Sequence, residues 1–217
     1  INQAVGTQWA DTYNFQDVGL ATIVFFWRIT ELAQRTVQQK MTSDNDQAVD
    51  TILQIFTRTP VEGEVKTRLI PNLGALRSCE LHKRMTLHAM SEAKNTSSKV
   101  EIWVTPTVDH PFFIGLERDF QLKIQVGKTL AERMAHSLEQ GLKRYKKVIL
   151  IGSDCPSIDR ELLIRAVSLL DNHQYVFIPV EDGGFSLIGS VLFSQKIFHE
   201  VPWGSNSVSY THLTLPT

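Results

Sequence analysis

From residue 51 onward, apolar and polar positions alternate between short β-type runs and longer helical stretches. Runs rich in β-branched and aromatic residues predict strands over 51–57, 100–105, 122–126, 148–153, 175–180 and 185–190. Helical spacing predicts helices over about 73–94, 129–146 and 159–171. The run Val148-Ile149-Leu150-Ile151 has no polar side chain, which is the pattern of a strand buried on both faces in a parallel sheet. In the second helix Leu130, Met134, Leu138 and Leu142 recur every four positions and form one face for the sheet. Thr129, with Glu132 three residues on, fits a capping box. Ser157 or Asp159 is placed to cap the third helix. This alternation predicts the α/β class: an open, mostly parallel sheet with helices on both faces. In such sheets ligands bind beyond the carboxyl ends of the strands.

The ends do not share this pattern. The first Met is Met41, and a polar leader separates it from the strand at 51. Residues 1–40 are therefore expected to be an extension not native to the domain. Within it, 20–39 could form a helix on Leu20, Ile23, Val24, Trp27, Leu32 and Ala33. Residues 41–208 are expected to be the α/β domain. Residues 209–217 lack a helical period and are expected to be a non-native tail, leaving the domain C-terminally truncated.

Composition removes several classes of function. Hydrophobic residues make up 42% and charged residues 21%, which excludes a disordered tail, a collagen-like fibre and a coiled coil. With 22 basic and 23 acidic residues, no basic excess marks a nucleic-acid partner. The apolar run 18–27 is interrupted by Gly19 and Thr22 and is too short to span a bilayer. It also lacks the basic flank and cleavage site of a secretory signal. Cys79 and Cys155 are not in metal-type spacing, so reduced thiols and a cytoplasmic location are expected. Cys155 reads as a buried thiol rather than a nucleophile, since no His lies near it in sequence.

Four segments carry candidate chemistry. Residues 56–69 (FTRTPVEGEVKTRL) run from a strand into a Pro/Gly loop bearing Arg58, Lys66, Thr67 and Arg68. A loop at this place can hold phosphates on backbone amides, and Lys66 and Arg68 would add charge. A solvated loop whose cations pair with Glu62 and Glu64 accounts for the same residues equally well. Residues 126–129 (VGKT) imitate the end of a phosphate-binding Walker loop. The full motif needs Gly where Leu122 stands, so Lys128 belongs to a strand-to-helix turn capped by Thr129.

In the second segment, 151–156 (IGSDCP), an apolar strand ends in Asp154 and Pro156 stops it. A carboxylate at that edge can hold Mg²⁺ or Mn²⁺ bridging a diphosphate; it can equally cap the next helix. The third segment, 179–185 (PVEDGGF), places Asp182 before Gly183 and Gly184. Asp-Gly between two strands is first of all a hairpin signal. Asp182 could also be a second metal ligand or a base, with the glycines allowing a substrate close to the backbone. The fourth segment, 125–134, could bring Gln125 and Arg133 to the same edge.

Together residues 56–69, 127–134 (GKTLAERM), 149–156 (ILIGSDCP), 181–189 (EDGGFSLIG) and 201–204 (VPWG) resemble one family. It is the GT-A-like bacterial glycosyltransferase family described as radical-SAM/selenodomain-associated transferase or arsenosugar-biosynthesis glycosyltransferase. Order and spacing agree over roughly residues 51–208. The resemblance implies a nucleotide-diphosphosugar transferase fold and a metal-dependent glycosyltransferase taking a nucleotide-sugar donor and a small-molecule acceptor. It implies that Lys66 and Arg68 face the donor phosphates, with Arg58, Thr67, Gln125, Gly183 and Gly184 completing the donor site. It places Asp154 as ligand of a divalent cation, Mg²⁺ or Mn²⁺, and Asp182 near the metal or the acceptor. The chain departs from the family in having Ser153-Asp154-Cys155 where an Asp-x-Asp pair is usual. Two other readings stand beside sugar transfer: a guanylyl- or cytidylyltransferase-like enzyme releasing pyrophosphate, and a non-catalytic nucleotide-binding fragment.

Overall fold

The computed structural model describes residues 49–180 and 184–198. The expected N-terminal extension, the 209–217 tail, Asp182 and Gly183 lie outside the described residues. Six strands form one sheet: β1 Thr51–Arg58, β2 Lys99–Thr105, β3 Gln121–Ile124, β4 Lys147–Gly152, β5 Tyr175–Pro179 and β6 Phe185–Ser190. Their spatial order is β3-β2-β1-β4-β6-β5. β1 pairs in parallel with β2 and β4, and β2 in parallel with β3. β6 is antiparallel to both of its neighbours. The fold is the mostly parallel α/β architecture that the pattern predicts.

Three helices cover the sheet: α1 Ala75–Lys94, α2 Leu130–Leu142 and α3 Arg160–Leu169. Strand alternation sends Leu53 and Ile55 to one face, where Met90 and Ala93 of α1 and Leu163 and Ala166 of α3 bury them. Ile52, Phe56, Val148 and Leu150 point to the other face, against Met134 and Leu138 of α2. Burying one such aliphatic side chain is worth roughly 1.5–3 kcal/mol. This two-sided burial is what makes the run 148–151 continuously apolar.

The boundaries differ from expectation where backbone geometry intervenes. A one-turn helix, Ile70–Leu73, opens with Pro71 and stops at Gly74, whose φ of 78° breaks it from α1. The second helix ends at Leu142, not 146, because the Arg144 and Tyr145 amides turn back onto the Gly141 carbonyl. Lys146 and Lys147 then donate to Asp50 O as the chain enters β4. Leu130, expected on the buried face, opens α2 and is 47% exposed. Cys79 is buried as a structural thiol, whereas Cys155 is only half-buried, with Sγ 3.2 Å from Ser157 Oγ. Among the described residues no helix is long and apolar enough to cross a membrane.

Candidate active site

The chain leaves β1 toward β2 on one side and later returns through β4 on the other. The carboxyl ends of β1 and β4 therefore flank a topological switch point, where this class of sheet leaves a crevice. Both strand ends are anchored from below. The Ser153 amide donates to Phe56 O at 3.0 Å, tying the end of β4 to β1. Thr57 Oγ1 lies 3.0 Å from Thr86 Oγ1 and 3.1 Å from Ser153 Oγ. His82 Nε2 is 3.0 Å from Arg58 O, and a carbonyl only accepts, so this nitrogen carries the proton. Thr57, Ser153, His82 and Thr86 are all buried. Burial pushes the His82 imidazole below its ordinary pKa; the Arg58 carbonyl opposes that and the Lys66 charge reinforces it. His82 and Thr86 did not stand out in the sequence, and Thr57 and Ser153 lay within segments 56–69 and 151–156 without a role of their own. The only signal available was a Thr and a Ser at inward-facing positions of two otherwise apolar strand ends.

Asp154 lies two residues past the end of β4, and its side chain is 68% exposed. It does not cap α3; Asp159 does, accepting from Leu162 N at 2.8 Å. Gly152 makes room for it, since a Cβ there would sit 2.8 Å from Asp154 Oδ1. The loop after β1 is pinned by Thr59 N on Thr105 O at 2.8 Å and by the Cys79 thiol on Pro60 O at 3.1 Å. Burial raises the pKa of that thiol, which keeps it protonated as a donor. Buried Val65 ends the loop, and Lys66 follows in a left-handed conformation, φ 49° and ψ 39°. Lys66 Nζ thereby reaches 3.5 Å from Asp154 Oδ2.

The structure thus brings Lys66 to Asp154, and pairing of Lys66 with Glu62 or Glu64 is not what forms. Thr67 and Arg68 lie in the exposed 3-10 turn Thr67–Leu69 directly after Lys66. Arg58 ends β1 and is exposed. Among the described residues neither Arg58 nor Arg68 forms an ion pair.

Gln125 is buried just past β3. Its amide nitrogen donates to Trp103 O at 2.9 Å and Thr57 O at 3.2 Å, bracing β1, β2 and β3 together. Only its carbonyl oxygen remains for a ligand. Arg133 comes to the same edge, with Nη1 3.5 Å from Thr105 Oγ1. Gly127 precedes it at φ 138°, where a Cβ would meet Arg133 N at 2.8 Å. Lys128 lies in the turn before α2, its amide held by Glu132 Oε2 at 2.7 Å and the helix capped by Thr129. Gly184 precedes β6, and its carbonyl accepts from Val180 N at 3.1 Å, so the hairpin reading of 179–185 holds for its described ends.

The residue types at this edge are those that suit a phosphorylated ligand. Asp154 is an exposed carboxylate beside the Lys66 ammonium, and Thr67 and Arg68 follow Lys66 in sequence; guanidinium and ammonium groups are suited to phosphate oxygens. Among the described residues no group of three metal-ligating side chains occurs. Mg²⁺ does not require one: it keeps several waters and binds through one or two carboxylates plus substrate phosphates. Asp154, open to solvent and backed by the bare Cα of Gly152, fits that mode.

A family model described as "Uncharacterized protein conserved in bacteria (DUF2064)" matches residues 86–205. No curated protein matches the chain. Among solved structures, a candidate nucleotide-diphospho-sugar transferase from Desulfovibrio desulfuricans G20 is 27% identical, with a TM-score of 0.72 over 76% of this chain and 74% of that one. A 4-diphosphocytidyl-2C-methyl-D-erythritol synthase from Anaerococcus prevotii DSM 20548 is 10% identical, with a TM-score of 0.48 over 76% of this chain and 82% of that one. A cytidylyltransferase from Leptospira borgpetersenii is 14% identical, with a TM-score of 0.44 over 77% and 72%. The fold is that of the nucleotide-diphosphosugar transferases. The last two likenesses are too low to carry a functional argument.

Proposed function

The chain belongs to the DUF2064 family, and from that premise we propose that it is a transferase acting on a nucleotide-diphosphate sugar. The observation that carries the proposal is the meeting of Lys66 and Asp154 at the sheet's carboxyl edge, 3.5 Å apart, from loops distant in sequence. The likeness to the D. desulfuricans protein supports the donor class. In sugar transfer an acceptor hydroxyl attacks the anomeric carbon, the bond to the diphosphate oxygen breaks, and the nucleoside diphosphate leaves. The negative charge that grows on the leaving diphosphate needs fixed positive charge beside it. Lys66 would supply an ammonium already held beside Asp154. Arg58 and Arg68 are the neighbouring guanidiniums able to grip the phosphates. Asp154, with Asp182 outside the described residues, would hold a divalent cation, which would act as a Lewis acid on the diphosphate. Asp182 is also our choice of base for the acceptor hydroxyl. The braced floor of Thr57, Ser153 and His82 keeps the carboxylate and the cations in register, so little reorganisation is needed when charge develops.

The test is a thermal-shift panel on the full chain with UDP, GDP, CDP and dTDP, each with Mg²⁺, Mn²⁺ or EDTA. A ligand at about 100 times its dissociation constant stabilises by about 2.7 kcal/mol. For a domain of this size that is a rise of roughly 5–10 °C. We expect a rise for one base, dependent on the cation and absent in Asp154→Ala. No rise with any nucleotide, from a cooperatively melting sample, would remove the reading. Pyrophosphate released from a nucleoside triphosphate, without sugar transfer, would replace it with nucleotidyl transfer.

A further inference from the structure

We propose that Lys66 is an internal counter-ion that opposes a divalent cation at Asp154 until a polyphosphate arrives, so that cation and nucleotide bind cooperatively. The proposal rests on the metal-dependent reading of Asp154 given above.

Three observations carry it. First, Lys66 is the only non-glycine residue with a positive φ among those described. A left-handed conformation disfavours any residue with a Cβ, and glycine would take it freely. A lysine held there implies that the side chain, not the turn, is what the position requires. Second, the ammonium has one partner among the described residues, Asp154. At 3.5 Å this is the longest of the described ion pairs, the rest lying between 2.6 and 3.0 Å. Lys66 is close enough to neutralise the carboxylate and too far to be clamped to it. Third, the pair is lopsided: the Lys66 side chain is 19% exposed and that of Asp154 is 68% exposed. A cation can therefore reach Asp154 from solvent while Lys66 stays behind it.

A divalent cation on Asp154 would then face an ammonium across one carboxylate. At a separation of about 5 Å in a water-like medium, repulsion between charges of +2 and +1 weakens cation binding on the order of tenfold. A diphosphate inserted between them turns that repulsion into two attractions. By linkage, whatever affinity the nucleotide adds for the cation, the cation adds equally for the nucleotide. Lys66 thus disfavours a metal-loaded, nucleotide-free site.

The experiment is a Mn²⁺ titration of the full chain without nucleotide, followed by electron paramagnetic resonance of free Mn²⁺. Wild type, Lys66→Met, Lys66→Gly and Asp154→Asn are compared. Binding of inorganic pyrophosphate in EDTA is measured separately by calorimetry. We expect Lys66→Met and Lys66→Gly to bind Mn²⁺ about tenfold more tightly than wild type, and to bind pyrophosphate more weakly. Asp154→Asn should lose Mn²⁺. The glycine variant keeps the turn and so guards against a methionine variant that fails to fold. Unchanged or weaker Mn²⁺ binding in both Lys66 variants overturns the proposal and leaves the transferase reading standing. Binding of pyrophosphate but never of Mn²⁺ overturns it together with the metal dependence. Binding of neither overturns the nucleotide reading itself.

Discussion

Gly152 shows how one missing side chain shapes the site. A Cβ at this position would come within 2.8 Å of Asp154 Oδ1. That oxygen ends an exposed, rotatable side chain, so an added methyl would turn the carboxylate aside rather than strain the strand. Gly152→Ala should therefore leave the melting temperature within about 2 °C of wild type, as for a substitution costing about 0.5 kcal/mol. It should also abolish the cation-dependent nucleotide shift. A full-sized shift in the variant would mean that Gly152 does not set the carboxylate. At this scale the sequence marked Asp154 and Lys66 as a strand-end acid and a loop cation, and the structure brings the two together. The sequence did not show that the Gln125 amide nitrogen braces two backbone carbonyls, because nothing local in the chain reveals that.

Among the elements, the seat of α1 on β1 decides how the loop after β1 begins. His82 bridges the two by donating to Arg58 O, with the charges of Lys66, Arg58 and Asp154 around it. Its folded pKa lies below the ordinary value of 6.5. As pH falls past 6.5 the unfolded chain takes up a proton that the folded chain still refuses. The folded state binds fewer protons, so the contribution of His82 to stability is full above about 6.5 and is lost as pH falls below it. Urea unfolding at pH 7 and pH 5 should show a larger loss in wild type than in His82→Gln, whose amide can still donate but cannot take a proton. Equal losses would show that His82 is not the source. The elements themselves were readable from periodicity. Their ends were not, because Gly74, Gly141 and the Asp50 carbonyl act through backbone geometry rather than through hydrophobic pattern.

At the scale of the whole molecule, one buried carboxylate ties the layers on the α2 side of the sheet. Glu101 on β2 is almost fully buried, and its Oε1 lies 2.7 Å from both Lys123 Nζ of β3 and Arg144 Nη2 beyond α2. These are charge contacts off the hydrogen-bond direction. The other oxygen, Oε2, accepts from Trp103 Nε1 at 3.1 Å and Gln54 Nε2 of β1 at 3.4 Å. Removing one partner of a fully buried pair costs about 3–5 kcal/mol. Here Lys123 and Arg144 retain 23% and 37% exposure, so Glu101→Ala should cost less, about 2–3 kcal/mol by chemical denaturation. A loss below about 1 kcal/mol would mean that water already solvates the two cations as well as Glu101 does.

The sequence by itself determined the class of fold, the number and order of the described strands, and the residue types at the sheet's carboxyl edge. Hydrophobic period and turn chemistry are local properties, and they carry that much. Only the tertiary structure decided that Lys66 answers Asp154 rather than Glu62 or Glu64, that Gln125 braces three strands, and that His82, Thr57, Ser153 and Thr86 form the floor beneath them. Those pairings depend on which strand ends the crossovers place side by side. That is settled by burying two faces of one sheet at once, a condition no local window of the chain contains.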